Sequence, residues 1–508
     1  MMNANQTKEI KDPGVYHKSI QSGKWFMLDA IGQKLINMVT FLILARFLMP
    51  EDYGIMALVL MVVGLLDQLT NFMFGEALLQ RKDSVEDYLD TLWTFDVIRS
   101  LVIVTVVFFG GGLIGGFFNV AVDQVWIMRL GGLLVLLPAT SNIRQIYFFK
   151  NLDFKMVLYR DLIAQLALSL GTIGFAVFFH ASAWVLFVGN LLQSVVGVGL
   201  SYILYPSLPR LSFRFRKLRD LANYSKWVYA QNFLGLLFSQ IDKLIIGCLM
   251  NTQELGVYSK GKDLSSMATT ITSSMIRRVG LPAFSKVQDK MDKVQEGFIK
   301  SVDLAILFSL PVTLLLLAEG GAVVSILLGA KWLAIVIPLK IFAFGNLFLA
   351  FMGIANPVLG ALGRPDINFK TSVFQAVLSI PLMFIGMHYR GVDGLAVGVV
   401  VTWFFVLLYI VYTTRPILKI GKKVFIPSLA SGVIASLTVI LMDRMLRIFR
   451  LGIDDRVVGL GRLVMLGLLY FVVLYVVGSR FKQGPWHTFL SILKELKLLP
   501  SWLVLKIG

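Results

Sequence analysis

Long apolar stretches alternate with short polar segments along almost the whole chain. A bilayer core takes about 20 apolar residues per crossing, and an α-helix satisfies its own backbone there. The pattern predicts an all-α, polytopic membrane protein of about 14 transmembrane helices. Their centres fall near residues 36, 66, 105, 133, 170, 193, 237, 268, 309, 345, 378, 402, 434 and 468. The eighth is rich in Ser and Thr, from Ser265 to Ser274, and the fourth starts soon after the Gly-rich end of the third. These two have the weakest signal, so about twelve to fourteen spans bound the number.

The polar punctuation repeats. One predicted helix runs from Lys24-Trp25 to Glu51-Asp52-Tyr53-Gly54, and another from Lys226-Trp227 to Gln253-Glu254-Leu255-Gly256. At the same offset of about 202 residues, Leu35, Leu42 and Ile43 match Leu237, Leu244 and Ile245; such a match predicts a duplicated bundle. The expected organisation is a cytoplasmic N-terminal segment over 1–22, a six-helix lobe over 23–205, a basic cytoplasmic linker over 206–224 and a second six-helix lobe over 225–415. Two additional C-terminal helices are expected over 424–480, then a tail over 481–508 that reads either as an interfacial amphipathic helix or as a frayed end. An even number of spans per lobe places both copies in the same orientation.

Composition agrees with this class: 57% of residues are hydrophobic and 15% charged, which excludes an ordinary soluble domain. The net charge of +18 follows the loops. Arg81 and Lys82, then Lys150 to Arg160, Arg210 to Arg219, Lys286 to Lys293, Arg364, Lys419 to Lys423, and Arg480 with Lys482 fall on one side of the predicted membrane. Positive residues stay on the cytoplasmic side, so both termini are expected there. Arg444, Arg447, Arg450 and Arg456 break the pattern in the thirteenth-to-fourteenth connection. The basic balance points to membrane lipids as partners, not nucleic acid. The polar first 22 residues lack a signal-peptide core, so the first span is expected to be retained. Cys248 is the single cysteine, and the four His lie near predicted helix ends, so no metal site is expected. No Gly-rich phosphate loop is present, and the loops are short for a catalytic or nucleotide-binding domain. The chain reads as a non-enzyme without cofactor, with proton or sodium coupling as an open option.

Polar residues inside a span are costly and normally face protein or water. In the first helix Asp29, Gln33 and Asn37 lie within about 80° of one another, and Lys34 widens the arc to about 140°. In the seventh, Gln231, Asn232, Ser239, Asp242 and Lys243 share an arc of about 120°. Two such faces opposed across a pseudo-twofold axis would line a substrate cavity; alternatively the same residues hold helices together. Asp67 is mid-span in the second helix, with Glu76 nearer its cytoplasmic end. Asp67, Glu76 and Asp242 are candidates for ion coupling, and Asp67 could instead pair with a basic residue such as Arg99. Lys34, Arg99, Lys243 and Lys340 add cationic groups to the interior, suited to an anion such as a pyrophosphate group.

Several short strings occur in order over most of residues 20 to 415: Leu44-Ala45-Arg46-Phe47-Leu48-Met49-Pro50-Glu51-Asp52-Tyr53-Gly54, Ala77-Leu78-Leu79-Gln80-Arg81-Lys82-Asp83, Asp242-Lys243-Leu244-Ile245-Ile246-Gly247, Leu255-Gly256-Val257-Tyr258-Ser259, Leu281-Pro282-Ala283-Phe284-Ser285 and Leu362-Gly363-Arg364-Pro365-Asp366. In them the chain resembles the polysaccharide-exporter branch of the multidrug/oligosaccharidyl-lipid/polysaccharide (MOP) superfamily, in particular Wzx-type flippases of the colanic acid exporter kind. The resemblance implies two helical lobes in a V-shaped arrangement, working by alternating access in the bacterial cytoplasmic (inner) membrane. It implies a polyprenyl-diphosphate-linked oligosaccharide as substrate for exopolysaccharide, capsule or O-antigen assembly, with a polysaccharide polymerase and export machinery as candidate partners. An ion-coupled drug or metabolite antiporter of the same superfamily, and a membrane polysaccharide polymerase, are the competing readings.

Overall fold

A computed structural model describes residues 13–72, 85–151, 153–179, 182–214, 239–266 and 287–418, with isolated positions at 74–75, 78, 218, 235, 284 and between 433 and 488. Among these residues the chain is helical, without strands. The long elements are α1 (Pro13–Phe47), α2 (Pro50–Thr70), α3 (Glu86–Phe117), the short α4 (Val125–Leu130), α5 (Leu133–Ala139) and α6 (Ile146–Lys150), then α7 (Phe154–Phe178) and α8 (Ala183–Leu204). A helical stretch over 239–249 precedes α9 (Thr252–Ser265), α10 (Met291–Leu327), α11 (Val336–Ala361) and α12 (Pro365–Leu418).

Nine helical segments among the described residues are long and apolar enough to cross a membrane. They contain ten of the expected span centres, because the Asp366–Leu418 segment carries both the eleventh and the twelfth. The expected centres at 237 and 268 lie outside the described residues, and those at 434 and 468 are covered only by isolated helical positions. Apart from Arg444, the basic connection to Arg456 is likewise outside them. The bilayer accounts for side chains that water would not tolerate: Phe109, Leu113, Phe178 and Val377 are 70% or more exposed.

The repeated acidic turn proves to be two helix starts. At α2, Pro50 occupies the first turn with Glu51 and Asp52, and the Met49 amide donates to Asp52 Oδ2 at 2.8 Å. At α9, the Glu254 amide donates to Asn251 Oδ1 at 2.8 Å, an N-cap. Met49 and Asp52 correspond to Asn251 and Glu254 under the offset: the same pair of positions closes both helix starts, with the side-chain acceptor at the fourth residue in α2 and at the first in α9.

The chain forms two compact units, Met1–Ser259 and Lys260–Gly508. In the first, α7 and α8 pack side by side, α1 lies along α7, and α3 packs on α4 and α5. Val85, Leu89, Leu92, Ile146 and Leu218 bury together with Phe74 and Leu78. In the second unit α11 packs between α10 and α12. Phe298, Ile354, Val358, Val406 and Ile410 form its centre. α12 is two limbs joined at Arg390 and Gly391, where the helical path breaks and Gly391 takes φ 55° and ψ −133°. That conformation requires glycine. The limbs fold back so closely that a Cβ on Gly386 would stand 2.0 Å from the Gly394 carbonyl oxygen.

Asn142 ties the loop after α5 to the segment after α8. Fully buried, it donates from Nδ2 to the carbonyls of Tyr205 and Ser207, both at 2.7 Å, and accepts from the Arg144 amide at 3.0 Å. Asn142→Ala leaves these groups unsatisfied and is expected to destabilise the protein by about 2–3 kcal/mol. Thermal unfolding in detergent should show the drop, with Asn142→Asp also destabilised because it cannot donate to the two carbonyls.

Candidate functional site

The polar face of α1 meets polar residues on two neighbours. Asp29 is buried and accepts from Gln33 Nε2 at 2.9 Å. One turn further, Asn37 Oδ1 accepts from Gln165 Nε2 at 2.9 Å, and Gln165 Oε1 accepts from Gln193 Nε2 at 3.1 Å. Thr40 then donates to Ser169 at 2.7 Å. A ladder of side-chain hydrogen bonds thus joins α1, α7 and α8 within the first unit. Gln165 and Ser169 are buried, whereas Asn37 is exposed, so one edge of the ladder opens outward. Lys34 sits beside it, half-buried, with no ion-pair partner among the described residues.

Gln165, Gln193 and Ser169 are absent from the sequence-derived site. Gln165 and Ser169 stand four residues apart on one face of α7, with Thr172 beyond them, and Gln193 lies beside Asn190 and Ser194 on α8, so helical spacing of uncharged polar residues is the signal that could have found them. Gln165→Ala separates packing from function: a helix–helix hydrogen bond in a membrane is worth about 0.6 kcal/mol and at most about 1.7. If the ladder only holds helices, thermal stability falls by about that amount and nothing else changes. A loss of function in the variant at least about tenfold, with stability down by no more than that hydrogen-bond energy, would give the ladder a role beyond packing.

Two residues assigned to different roles come together between α2 and α3. Arg99 Nη1 contacts Asp67 Oδ1 at 2.6 Å, and also donates to the Asp67 carbonyl at 3.2 Å and Thr70 Oγ1 at 3.0 Å. Its Nε lies 3.5 Å from Asp96. The Arg99 side chain is 9% exposed and that of Asp67 32%. The guanidinium is held by two carboxylates and the end of α2, an arrangement that leaves Arg99 little freedom to bind an added anion without releasing Asp67.

Asp242 is buried and accepts from Tyr258 Oη at 2.7 Å and from the Lys243 amide at 2.8 Å. Ser239 is exposed and Lys243 half-buried on the same stretch. In the second unit the Lys340 stem crosses Gly320, where a Cβ would come within 3.2 Å of Cε, beside the buried Glu319. Gln231, Asn232 and Glu76 lie outside the described residues. Among the described residues no group of three or more His, Cys, Asp or Glu could hold a metal ion.

The duplicated glycines meet. A Cβ on Gly54 would lie 1.7 Å from the Thr252 carbonyl oxygen, and one on Gly256 would lie 1.8 Å from that of Pro50. Pro50 and Thr252, like Gly54 and Gly256, are equivalent under the repeat offset. The starts of α2 and α9 therefore cross reciprocally, backbone on backbone, at the point where the two copies correspond. Only residues without a Cβ permit so close a crossing.

Comparison with known proteins follows this architecture. The lipopolysaccharide biosynthesis protein WzxC of Escherichia coli K12 is 25% identical over 425 residues, covering 81% of this chain and 84% of its own. The teichuronic acid biosynthesis protein TuaB of Bacillus subtilis strain 168 is 24% identical over 356 residues, covering 69% and 73%. Among solved structures, the lipid II flippase MurJ in an inward closed conformation superposes with a TM-score of 0.67 at 14% identity, covering 89% of this chain and 98% of its own. An inward-facing multidrug resistance MATE family transporter of the MOP superfamily gives a TM-score of 0.57 at 14% identity, covering 76% and 94%. These two likenesses show the fold. Residues 43–337 match the polysaccharide biosynthesis protein family, and the chain belongs to it.

Proposed function

We propose that this protein flips a polyprenyl-diphosphate-linked oligosaccharide repeat unit from the cytoplasmic to the outer leaflet of the bacterial cytoplasmic membrane, for exopolysaccharide, capsule or O-antigen assembly. The reading is carried by Lys34: a cation without an ion-pair partner among the described residues, beside a hydrogen-bonding ladder able to engage sugar hydroxyls. The relatives' printed roles in lipopolysaccharide and teichuronic acid biosynthesis support the substrate class. Asp29, Gln33, Lys34, Asn37, Arg99, Gln231, Asn232, Ser239, Lys243 and Lys340 belong to the proposed path. Asp67, Glu76 and Asp242 are the proposed positions for proton or sodium coupling. Both termini are cytoplasmic in this reading, which puts the Gly54–Gly256 crossing on the outer side. The crossing then closes the outer end while substrate enters from the cytoplasm, as alternating access requires.

A drug antiporter suited to cations would need carboxylates free to bind them. Here Asp29, Asp67 and Asp242 each engage a protein partner: Gln33, Arg99 and Tyr258. Lys34→Ala is expected to lower surface polymer at least about tenfold at normal protein abundance, whereas Lys34→Arg retains export because the guanidinium keeps the charge and binds phosphate. Polymer measured together with an immunoblot checks this. Unchanged polymer from Lys34→Ala would remove the anion site from α1.

A further inference from the structure

The second unit carries a cleft lined by none of the residues proposed for the transport path. It lies where the first limb of α12 begins and the second ends, because the turn at Arg390 and Gly391 brings residues 364–370 alongside 408–417. Its volume is about 1160 Å³. Arg364, Lys370 and Arg415 supply three cations, and Asp366 supplies one carboxylate. Arg364 is committed: its Nε and Nη2 donate to the two Asp366 oxygens at 3.0 and 3.2 Å. Lys370 and Arg415 are exposed and make no direct ion pair among the described residues, though Lys370 also acts on Asp366 through space, and the three cations against one carboxylate leave a surplus of two positive charges.

The walls change character along the limbs. Next to the cations come Leu408, Val411 and Tyr412, exposed by 48%, 40% and 79%, and Tyr409 stacks on Phe374 with ring centroids 5.1 Å apart. A soluble anion has no use for an exposed apolar wall, and a soluble peptide would leave that wall against lipid tails. Cations at one end, tyrosines at the boundary and apolar side chains beyond match an amphiphile with an anionic head at the membrane surface. Positive residues mark this end as cytoplasmic.

We propose that the cleft between the limbs of α12 binds an anionic glycerophospholipid of the inner leaflet, its phosphate held by Lys370 and Arg415. Arg364 with Asp366 fixes its rim.

The test is native mass spectrometry of the full-length protein titrated with phosphatidylglycerol or phosphatidylcholine. The wild type should retain phosphatidylglycerol preferentially. Lys370→Gln with Arg415→Gln should weaken that binding by about 30-fold, the combined effect of two basic residues near a membrane surface, and leave phosphatidylcholine binding unchanged. Arg210→Gln, in another basic segment, should change neither. Hydrogen exchange of the wild type in nanodiscs provides a readout independent of any variant: adding 30 mol% phosphatidylglycerol to phosphatidylcholine should protect 364–370 and 408–417. Equal retention of the two lipids, unchanged binding by the double variant, or no protection would overturn the proposal. Displacement of phosphatidylglycerol by equimolar undecaprenyl diphosphate would also overturn it, assigning the cleft to the carrier lipid instead.

Discussion

Gly54→Val is expected to abolish export. Any Cβ at position 54 collides with the Thr252 carbonyl oxygen at 1.7 Å, so the starts of α2 and α9 must separate by more than an ångström. Neither partner can yield alone, because the obstacle is backbone in a capped first turn. Overpacking of this kind costs about 1–3 kcal/mol, enough to disfavour the crossed arrangement without unfolding membrane-embedded helices. Gly54→Ala and Gly256→Ala should each impair export and lower thermal stability. The double variant should lose about 1–2 kcal/mol less than the two single losses combined, because the first alanine already opens the crossing that the second would obstruct. Additive losses, or full export by Gly54→Val, would show that the crossing has no part in the transport cycle.

Arg99→Ala should impair both stability and export. It strands Asp67 beside the end of α2 and removes the donor to Thr70. Removing one partner of a fully buried pair costs about 3–5 kcal/mol; with a third of the Asp67 side chain exposed, about 2–3 is expected. The pair also separates two roles. If Arg99 serves only to neutralise Asp67, then Arg99→Gln with Asp67→Asn restores both stability and export. If Arg99 exchanges Asp67 for a substrate phosphate during transport, stability recovers and export does not. Thermal unfolding and polymer output of the single and double variants decide between them, and Asp67→Asn alone reports on ion coupling through gradient-driven flipping in proteoliposomes.

How far the chain can be read in advance depends on whether a feature repeats. Apolar length repeats at every span, so the helical membrane class is legible from hydropathy alone. The acidic punctuation repeats as well, and it marks helix starts because each copy supplies a side-chain acceptor for a first-turn amide: Asp52 for the Met49 amide, and Asn251 for the Glu254 amide. The arc of α1 places Asp29, Gln33 and Asn37 together because three polar residues on one helix have a direction. Gln165 with Ser169 and Thr172, and Gln193 with Asn190 and Ser194, also share helix faces, but uncharged groups that can bond their own backbone point less clearly to a site, and spacing names a face without naming its partner. The Gly54–Gly256 crossing was hidden for another reason. Sequence shows that both glycines recur, but only the path of the backbone brings them within van der Waals distance. The ion pair between Asp67 and Arg99 was legible only as one option, since hydropathy fixes depth in the membrane and not rotation about a helix axis.

The most direct test of the account is lipid extraction from a strain lacking this gene. The account predicts that one defined oligosaccharide accumulates on a polyprenyl-diphosphate carrier in the inner leaflet while a surface polysaccharide disappears, and that the wild-type gene reverses both but the Lys34→Ala variant does not. Unchanged carrier-linked glycans with normal surface polymer would contradict it.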